Sequence, residues 1–143
     1  MTNRLRALFI AAALILIMVA CVSNSSTSGS AVTSTASGPR PSSTGKLSII
    51  SPTTGEVLPA GDVTLKVKLT GATIVAASST HLVPDQGHLH VILDDNLITM
   101  TGSTTTILPN VAAGTHLLKV EFVANDHAPF DPRVIAATSF KVK

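Results

Sequence analysis

The side chains best suited to chemistry in this 143-residue chain are histidines. His88 and His90 lie two residues apart in a stretch that alternates between apolar and polar residues, so both side chains point to the same face of a β-strand. His127 follows the end of a second alternating stretch. Because imidazole nitrogen is a good ligand for first-row transition metals, these residues predict a site for copper or zinc, provided that the two strands are neighbours.

Three further residues near these positions are candidate ligands, namely His81, Asp85 and Asp126. His81 and Asp85 lie in the loop before the first of the two strands, and His81 is alternatively a solvated loop residue. Asp126 alternatively caps its own loop by accepting hydrogen bonds from backbone N–H groups. The corresponding alternative for His88 and His90 is a pair of solvated polar residues on an exposed strand face.

The fifth histidine, His116, is expected to have a structural role. It shares the alternation of Leu118, Val120 and Phe122, which is that of the core, and it lies at the start of the strand that ends before His127. We therefore predict that His116 is a hydrogen-bonded histidine outside the metal site.

From Lys46 onward the sequence alternates between apolar and polar residues and is punctuated by turn residues, which is the pattern of β-strands. About seven short strands are predicted, and no stretch has a helical period. We expect an all-β fold, an immunoglobulin-like antiparallel β-sandwich, with an aliphatic core because Trp and Tyr are absent. By analogy with that fold, strands B, C, F and G are Val63–Thr70, His88–Asp94, Thr115–Ala124 and Arg133–Lys143.

Strand C of such a sandwich runs antiparallel beside strand F, so the start of C lies next to the end of F. His127 is then expected near His88 and His90, at the rim where the B–C and F–G loops emerge. The core positions of strand C are Leu89, Val91 and Leu93. Both histidines of this strand are therefore expected to face out of the sandwich.

The first 20 residues have the features of an export signal. Arg4 and Arg6 precede an apolar run, Ala7–Ala20, of about 14 residues, which suits a signal peptide and is shorter than the roughly 20 residues of a membrane-spanning helix. The run ends in Met18-Val19-Ala20-Cys21, which resembles a bacterial lipobox, the motif in which the signal peptidase cuts before a lipidated cysteine. This resemblance implies that Cys21 carries the lipid.

Two alternatives to a lipoprotein signal remain. An uncleaved N-terminal anchor requires a longer apolar stretch. An ordinary secretory signal would leave the single cysteine, Cys21, unpaired near the cleavage site. Lipidation accounts for that cysteine, so we expect an extracytoplasmic protein that is attached to the bacterial cell membrane by its N-terminal lipid.

The remaining chain divides into a tether and one domain. Residues 21–45 are mostly Ser, Thr, Gly, Ala and Pro, a composition typical of a disordered tether, and residues 46–143 form the β-sandwich. Removal of Arg4 and Arg6 with the signal leaves 8 of the 10 basic side chains, which balance the 8 acidic ones. A near-neutral chain has no electrostatic footprint for nucleic acid, and that partner is excluded.

Two stretches resemble a family of exported bacterial domains of unknown function. In that family one strand contains Gly-His-His-His-Leu-Leu-Ile-Asp, and a later strand starts Pro-Gly-Lys-His-Thr-Leu and leads into Asn-His-Val-Pro-His-x-Pro-Pro. The matching stretches here are Gly87–Asp94 and Gly114–Pro132, and Ser51-Pro52-x-x-Gly55 also matches. The resemblance implies that His88, His90, His116, His127, Pro129 and Pro132 are family-type residues, but it names no reaction. The chain departs from the family at Leu89 and Phe130, which replace histidines, and at Arg133, which replaces proline.

These observations predict a membrane-tethered domain that binds a transition metal through a histidine cluster at its rim. The alternative is a non-catalytic immunoglobulin-like adhesion or scaffold module that uses the same loops to bind an envelope protein or a glycan, since fold alone does not specify function. An enzyme is not expected. The chain has no nucleophile motif with a suitably spaced base, no Gly-rich phosphate loop and no paired carboxylates beyond the Asp94-Asp95 turn.

Overall fold

A computed structural model describes residues 39–76 and 81–143 of the chain. Within them lie nine β-strands and no helix. The strands are β1 (Lys46–Ser51), β2 (Val57–Leu58), β3 (Gly61–Thr70), β4 (Thr73–Ile74), β5 (Gln86–Leu93), β6 (Asn96–Thr101), β7 (Thr105–Val111), β8 (Gly114–Ala124) and β9 (Pro129–Val142). All except β2 and β4 have at least 6 residues, which agrees with the prediction of about seven strands.

The strands form two sheets that face each other. One sheet has the order β1-β3-β7, and the other has the order β2-β9-β8-β5-β4 with β6 also paired to β5. All pairings are antiparallel except those of the two short strands, β2 with β9 and β4 with β5. The chain is therefore an immunoglobulin-like β-sandwich, as predicted. The predicted strands B, C, F and G correspond to β3, β5, β8 and β9.

Alternate residues of the strands form the core between the sheets. The buried positions of β3, for example, are Val63, Leu65 and Val67, and the residues between them are exposed. The expectation of a purely aliphatic core is wrong, because Phe122, Phe130 and Phe140 are each no more than 1% exposed. The rings of Phe122 and Phe130 stack with centroids 5.2 Å apart. Burial of each ring contributes roughly 1.5–3 kcal/mol to the hydrophobic stabilisation of the domain.

The last strand differs from its prediction. It begins at Pro129 rather than at Arg133, and its pairing with β8 shifts between Phe122 and Val123, which marks a β-bulge. The residues that the bulge accommodates include Phe130, whose side chain enters the core. The segment that was expected to be a loop is therefore strand, and it completes the core beside the end of β8.

Residues 39–45 lie against the sandwich, although their composition is that of the predicted tether. Arg40 binds Asp126 and Ser43 binds Asp85, so the predicted boundary at residue 46 falls inside the folded unit. The predicted signal peptide, residues 1–20, and Cys21 lie outside the described residues. In residues 39–76 and 81–143 no helix is long and apolar enough to cross a membrane.

Candidate metal centre

The candidate site is assembled where β5 begins and β8 ends. The two strands run antiparallel, with Gly87 opposite Ala124 and His88 opposite Val123. The chain then turns back toward β5, and the backbone N–H of His127 donates to the carbonyl oxygen of Ala124 at 2.9 Å. The predicted pairing of strands C and F is confirmed, and it brings the loop after β8 to the start of β5.

The turn that carries His127 is tightly built. Its φ of 64° lies in the left-handed region, which histidine, asparagine and aspartate adopt more readily than other non-glycine residues. The N–H of Ala124 donates to the carbonyl of Ala128 at 3.0 Å, and the carboxylate of Asp126 accepts from the N–H of Ala128 at 3.2 Å. Asp126 thus caps its own loop, which was the alternative to a role as a ligand.

Three imidazole rings meet at this point. The Nε2 atom of His88 lies 3.2 Å from Nε2 of His90 and 3.1 Å from Nδ1 of His127. One ligand atom from each of the three residues lies within 4.8 Å of the others. The ring centroid of His88 is 4.6 Å from that of His127 and 5.1 Å from that of His90. The structure therefore brings together the three histidines that were predicted to form the site.

Hydrogen bonding alone does not account for both contacts of His88. A histidine ring nitrogen carries either one N–H or one lone pair in the ring plane, so Nε2 makes only one good hydrogen bond. Two nitrogen ligands of the same tetrahedral metal ion, each about 2.0–2.1 Å from the metal, lie about 3.3 Å from each other. The spacings of 3.1 and 3.2 Å at His88 are close to that value. A cation held between the lone pairs would account for both short contacts of His88 Nε2.

His88 faces out of the sandwich, as expected, but it is not the solvated polar residue of the alternative interpretation. Alternation with Leu89 keeps its ring out of the apolar core, yet the residue is 0% exposed. The rings of His90 and His127 pack against it. His90 is half-buried and His127 is exposed, so the cluster runs from a buried nitrogen to the surface.

The protonation of the buried rings suits metal binding. Burial, together with repulsion by the neighbouring rings of His90 and His127, lowers the pKa of His88 to about 4. Burial and His127 also lower the pKa of His90, against an opposing effect of Glu121. His88 and His90 are therefore neutral near pH 7, which leaves a nitrogen lone pair on each ring available to a cation.

Gly87 allows the close approach of the two strands beside the cluster. A Cβ atom at this position would lie 1.9 Å from the carbonyl oxygen of Val123 and 3.2 Å from the ring of Phe122. Only glycine fits there, and the residue that follows it is His88. This steric requirement gives a physical reason for the glycine in the Gly-His-x-His motif.

The two candidate aspartates do not belong to the histidine cluster. The carboxylate of Asp126 accepts hydrogen bonds from both terminal nitrogens of Arg40, at 2.5 and 2.9 Å. The carboxylate of Asp85 accepts from Ser43 Oγ at 2.8 Å and from the N–H of Thr44 at 2.6 Å. Both aspartates bind the segment that precedes β1, and these contacts lower the pKa of each carboxyl below its usual value.

His81 lies near the site through its backbone. Its carbonyl oxygen accepts a hydrogen bond from the Nδ2 atom of Asn125 at 2.8 Å, while the residue itself is exposed. Asn125 is 2% exposed and directly follows β8. The ring of His81 is not part of the group whose nitrogens converge, which favours the alternative of a solvated loop residue.

Two neighbours flank His90 across the sheet. Glu121 is opposite it on β8 and Met100 is opposite it on β6. Glu121 is only 4% exposed and accepts two hydrogen bonds from Arg133, at 2.6 and 2.7 Å. Met100 is 44% exposed, and as a cross-strand partner it shares the outer face with His90.

His116 has the structural role that was predicted for it. Its Nδ1 atom lies 2.7 Å from Oδ2 of Asp94, and its Nε2 atom lies 2.9 Å from the carbonyl oxygen of Ala112. The hydrogen bond with Asp94 raises the pKa of His116, with burial opposing and the Ala112 carbonyl adding to the increase. This histidine lies at the other end of β8 from the metal candidates.

The contribution of the segment before β1 was not predicted from the sequence. Arg40 makes hydrogen bonds to Asp126, Ala128 and Pro129, all of which lie close to His127 in the chain. One signal for it was present: Arg40 is the single charged residue between Arg6 and Lys46. A lone charge in a long uncharged stretch is a reason to look for a partner in the folded domain.

No protein-family model and no curated protein matches the chain. Among solved structures, the fibronectin(III)-like modules of Clostridium thermocellum CbhA are 24% identical, cover 68% of this chain and 94% of their own, and superpose with a TM-score of 0.51. The PKD domain of human KIAA0319 is 19% identical, covers 75% of this chain and 88% of its own, and has a TM-score of 0.40. The similarity to the fibronectin(III)-like modules supports the β-sandwich fold and carries no information about a ligand.

Proposed function

We propose that this chain is a membrane-tethered extracytoplasmic domain that binds one transition-metal ion through His88, His90 and His127. The observation that carries the proposal is the position of His88 Nε2, which lies 3.1 and 3.2 Å from nitrogens of the other two rings. That spacing suits ligands on a shared tetrahedral ion. The low pKa of His88 supports it further, because the ring is neutral at the pH where it would bind.

The donor set suits zinc or copper. Both ions accept imidazole nitrogen, and three such ligands leave one tetrahedral position for water or for a ligand from elsewhere. His127 is exposed, so the cluster is accessible from solvent. An accessible three-histidine site of this kind suits capture and transfer of an ion better than permanent structural binding.

Binding rather than catalysis is favoured by the carboxylates around the cluster. A metal-dependent hydrolase needs a general base that is free to accept a proton from the metal-bound water. Glu121 is held by Arg133 and Asp126 is held by Arg40, each through two hydrogen bonds. The proposal is therefore a metal-handling domain without a hydrolytic reaction.

The membrane attachment is proposed from the sequence. The basic start, the short apolar run and the Met18-Val19-Ala20-Cys21 motif support a lipid on Cys21. We expect the wild-type chain to incorporate a radiolabelled fatty acid in bacterial cells and to sediment with the membranes. Cys21→Ser is expected to abolish the label and to leave an unprocessed precursor. A wild-type chain that takes up no label would contradict lipidation.

The metal site is tested by calorimetric titration of the full-length protein, purified in detergent and stripped with a chelator, with Zn²⁺ and with Cu²⁺. We expect one ion per chain with a dissociation constant of about 1 μM or lower. His127→Asn is the informative variant, because asparagine tolerates the left-handed backbone at that position and the side chain is exposed. His81→Asn is the matched control, since this nearby histidine lies outside the cluster.

We expect His127→Asn to weaken binding at least about 10-fold, because one of three ligands is lost, and His81→Asn to leave it unchanged. A wild-type protein that binds neither ion would overturn the proposal and leave the adhesion or scaffold module, with a protein or glycan partner, as the function to pursue. Equal binding by wild type and His127→Asn would show that any bound ion occupies another site.

A further inference from the structure

We infer that the segment of residues 39–45, here called the brace, is part of the metal site, and that docking of the brace and binding of the metal stabilise each other. The inference rests on the proposed function, because it concerns the same three histidines. It goes further by giving the end of the predicted tether a role in controlling metal affinity.

The first contact of the brace holds the loop that carries His127. The guanidinium of Arg40 donates to both carboxylate oxygens of Asp126 at 2.5 and 2.9 Å, to the carbonyl of Ala128 at 3.1 Å and to the carbonyl of Pro129 at 2.9 Å. These acceptors lie on both sides of His127 in the chain. A planar guanidinium that binds a carboxylate in two places fixes its orientation as well as its position.

The second contact lies at the start of β5. Asp85 directly precedes this strand, which carries His88, and its carboxylate accepts hydrogen bonds from Ser43 Oγ and from the N–H of Thr44. The brace therefore joins the two chain segments that supply the imidazoles. The backbone N–H of Asp131, in β9, also donates to the carbonyl oxygen of Pro41, in the brace, at 3.0 Å.

These contacts account for both aspartates that resembled ligands in the sequence. Asp85 and Asp126 each bind the brace, and each lies within three residues of a histidine of the cluster. Groups that orient a metal ligand without touching the metal commonly change its affinity by about 10–100-fold when they are removed. Arg40 is accordingly a positioning residue, which acts on the ion through the His127 loop.

Coupling of this kind is reciprocal. If the docked brace favours metal binding by some factor, bound metal favours docking of the brace by the same factor. The brace is the last part of the predicted tether, so a protease or a partner that displaces residues 39–45 would weaken metal binding by that factor. The tether would then transmit events near the membrane to the metal site.

The first test measures Zn²⁺ affinity of the full-length protein in detergent by competition with a chromophoric chelator. Arg40→Ala is expected to weaken binding about 10-fold. Lys119→Ala is the matched control, because it removes another ion pair, with Asp95 at 2.5 Å, from the far end of the same sheet. This control is expected to bind zinc as the wild type does.

A double-mutant comparison separates positioning from a general loss of structure. If Arg40 acts through His127, then Arg40→Ala has no further effect on zinc affinity once His127→Asn has been introduced. Unchanged affinity in Arg40→Ala, or an equal loss in both backgrounds, would overturn the inference. Absence of zinc binding by the wild type would instead overturn the proposed function, and the inference would fail with it.

Hydrogen exchange tests the reverse direction of the coupling in the unmodified protein. The amides of Thr44 and Asp131 both donate across brace contacts, so saturating Zn²⁺ is expected to slow their exchange about 10-fold. The amide of Val67, which donates to Thr104 and lies on β3 in the sheet without the histidines, is expected to be unaffected. Zinc that binds without slowing the two brace amides would contradict the inference.

Discussion

The Nε2 atom of His88 lies 3.1 Å from the Nδ1 atom of His127, although 39 residues separate them in the chain. Antiparallel pairing of β5 with β8 places Gly87 opposite Ala124, and the turn after β8 returns the chain to the start of β5. The proximity is therefore a consequence of the register of the sheet and of one tight turn. The proximity of the two rings depends on few residues, and substitution of these residues tests it.

Gly87→Ala is expected to damage the site through the backbone. The added Cβ would lie 1.9 Å from the carbonyl oxygen of Val123, so β5 and β8 must separate beside His88. We expect a loss of about 1–3 kcal/mol in the free energy of unfolding in urea, and weaker zinc binding. Gly102→Ala is the control, because its nearest contact would be an ordinary 3.4 Å. Equal stability of the two variants would contradict the steric argument.

The Asp94–His116 pair is expected to make stability depend on pH. The hydrogen bond with Asp94 raises the pKa of His116. The charged pair therefore adds its full contribution to the free energy of unfolding below the usual histidine pKa of 6.5, and this contribution is lost as pH rises through the raised pKa. His116→Gln should therefore destabilise the metal-free protein more at pH 5.5 than at pH 9 in urea unfolding. A loss that is equal at both pH values, or larger at pH 9, would contradict this assignment.

Phe130→His tests whether the family-type histidine can be restored at this position. Phe130 is 1% exposed and its ring stacks on Phe122, so the substitution buries a polar ring in the core. We expect unfolding free energy to fall by about 3 kcal/mol without any gain in zinc affinity. Phe130→Leu keeps the position apolar, so its free energy of unfolding should fall by clearly less. Tighter zinc binding by the histidine variant would show that this side chain reaches the site.

Met100→Leu tests whether the site prefers copper in its reduced state. Met100 is opposite His90 on the outer face of the sheet, and a thioether is a soft ligand that favours Cu⁺ over Zn²⁺. We expect Cu⁺ affinity to fall roughly 10-fold while Zn²⁺ affinity stays the same. Affinity is measured by competition with a Cu⁺-specific chelator under reducing conditions. A parallel loss for both ions would show that Met100 affects the fold rather than the choice of metal.

The sequence predicted the fold and the meeting of the histidines because both follow from local patterns. Period-two alternation located β3, β5, β8 and β9, and the known neighbours of strands C and F in this fold brought His127 to His88. The alternation of side chains, together with its position at the start of the strand, also placed His116 outside the site. These inferences need only the alternation of side chains and the order of strands in the sheet.

Features that depend on contacts between distant segments were not predictable in this way. His88 is fully buried against the rings of His90 and His127, at a position that alternation places outside the core. Arg40 lies in a stretch with the composition of a linker, and its partner Asp126 is 86 residues away. A polar composition indicates that a segment cannot form its own core, but it does not show whether the segment binds an existing one.

The most direct test of the metal site is a crystal structure of the zinc-loaded protein with anomalous diffraction measured on both sides of the zinc absorption edge. We expect one strong anomalous peak, about 2.0–2.1 Å from Nε2 of His88, Nε2 of His90 and Nδ1 of His127. A peak at other residues, or no peak while the three rings keep their 3.1 and 3.2 Å contacts, would contradict it.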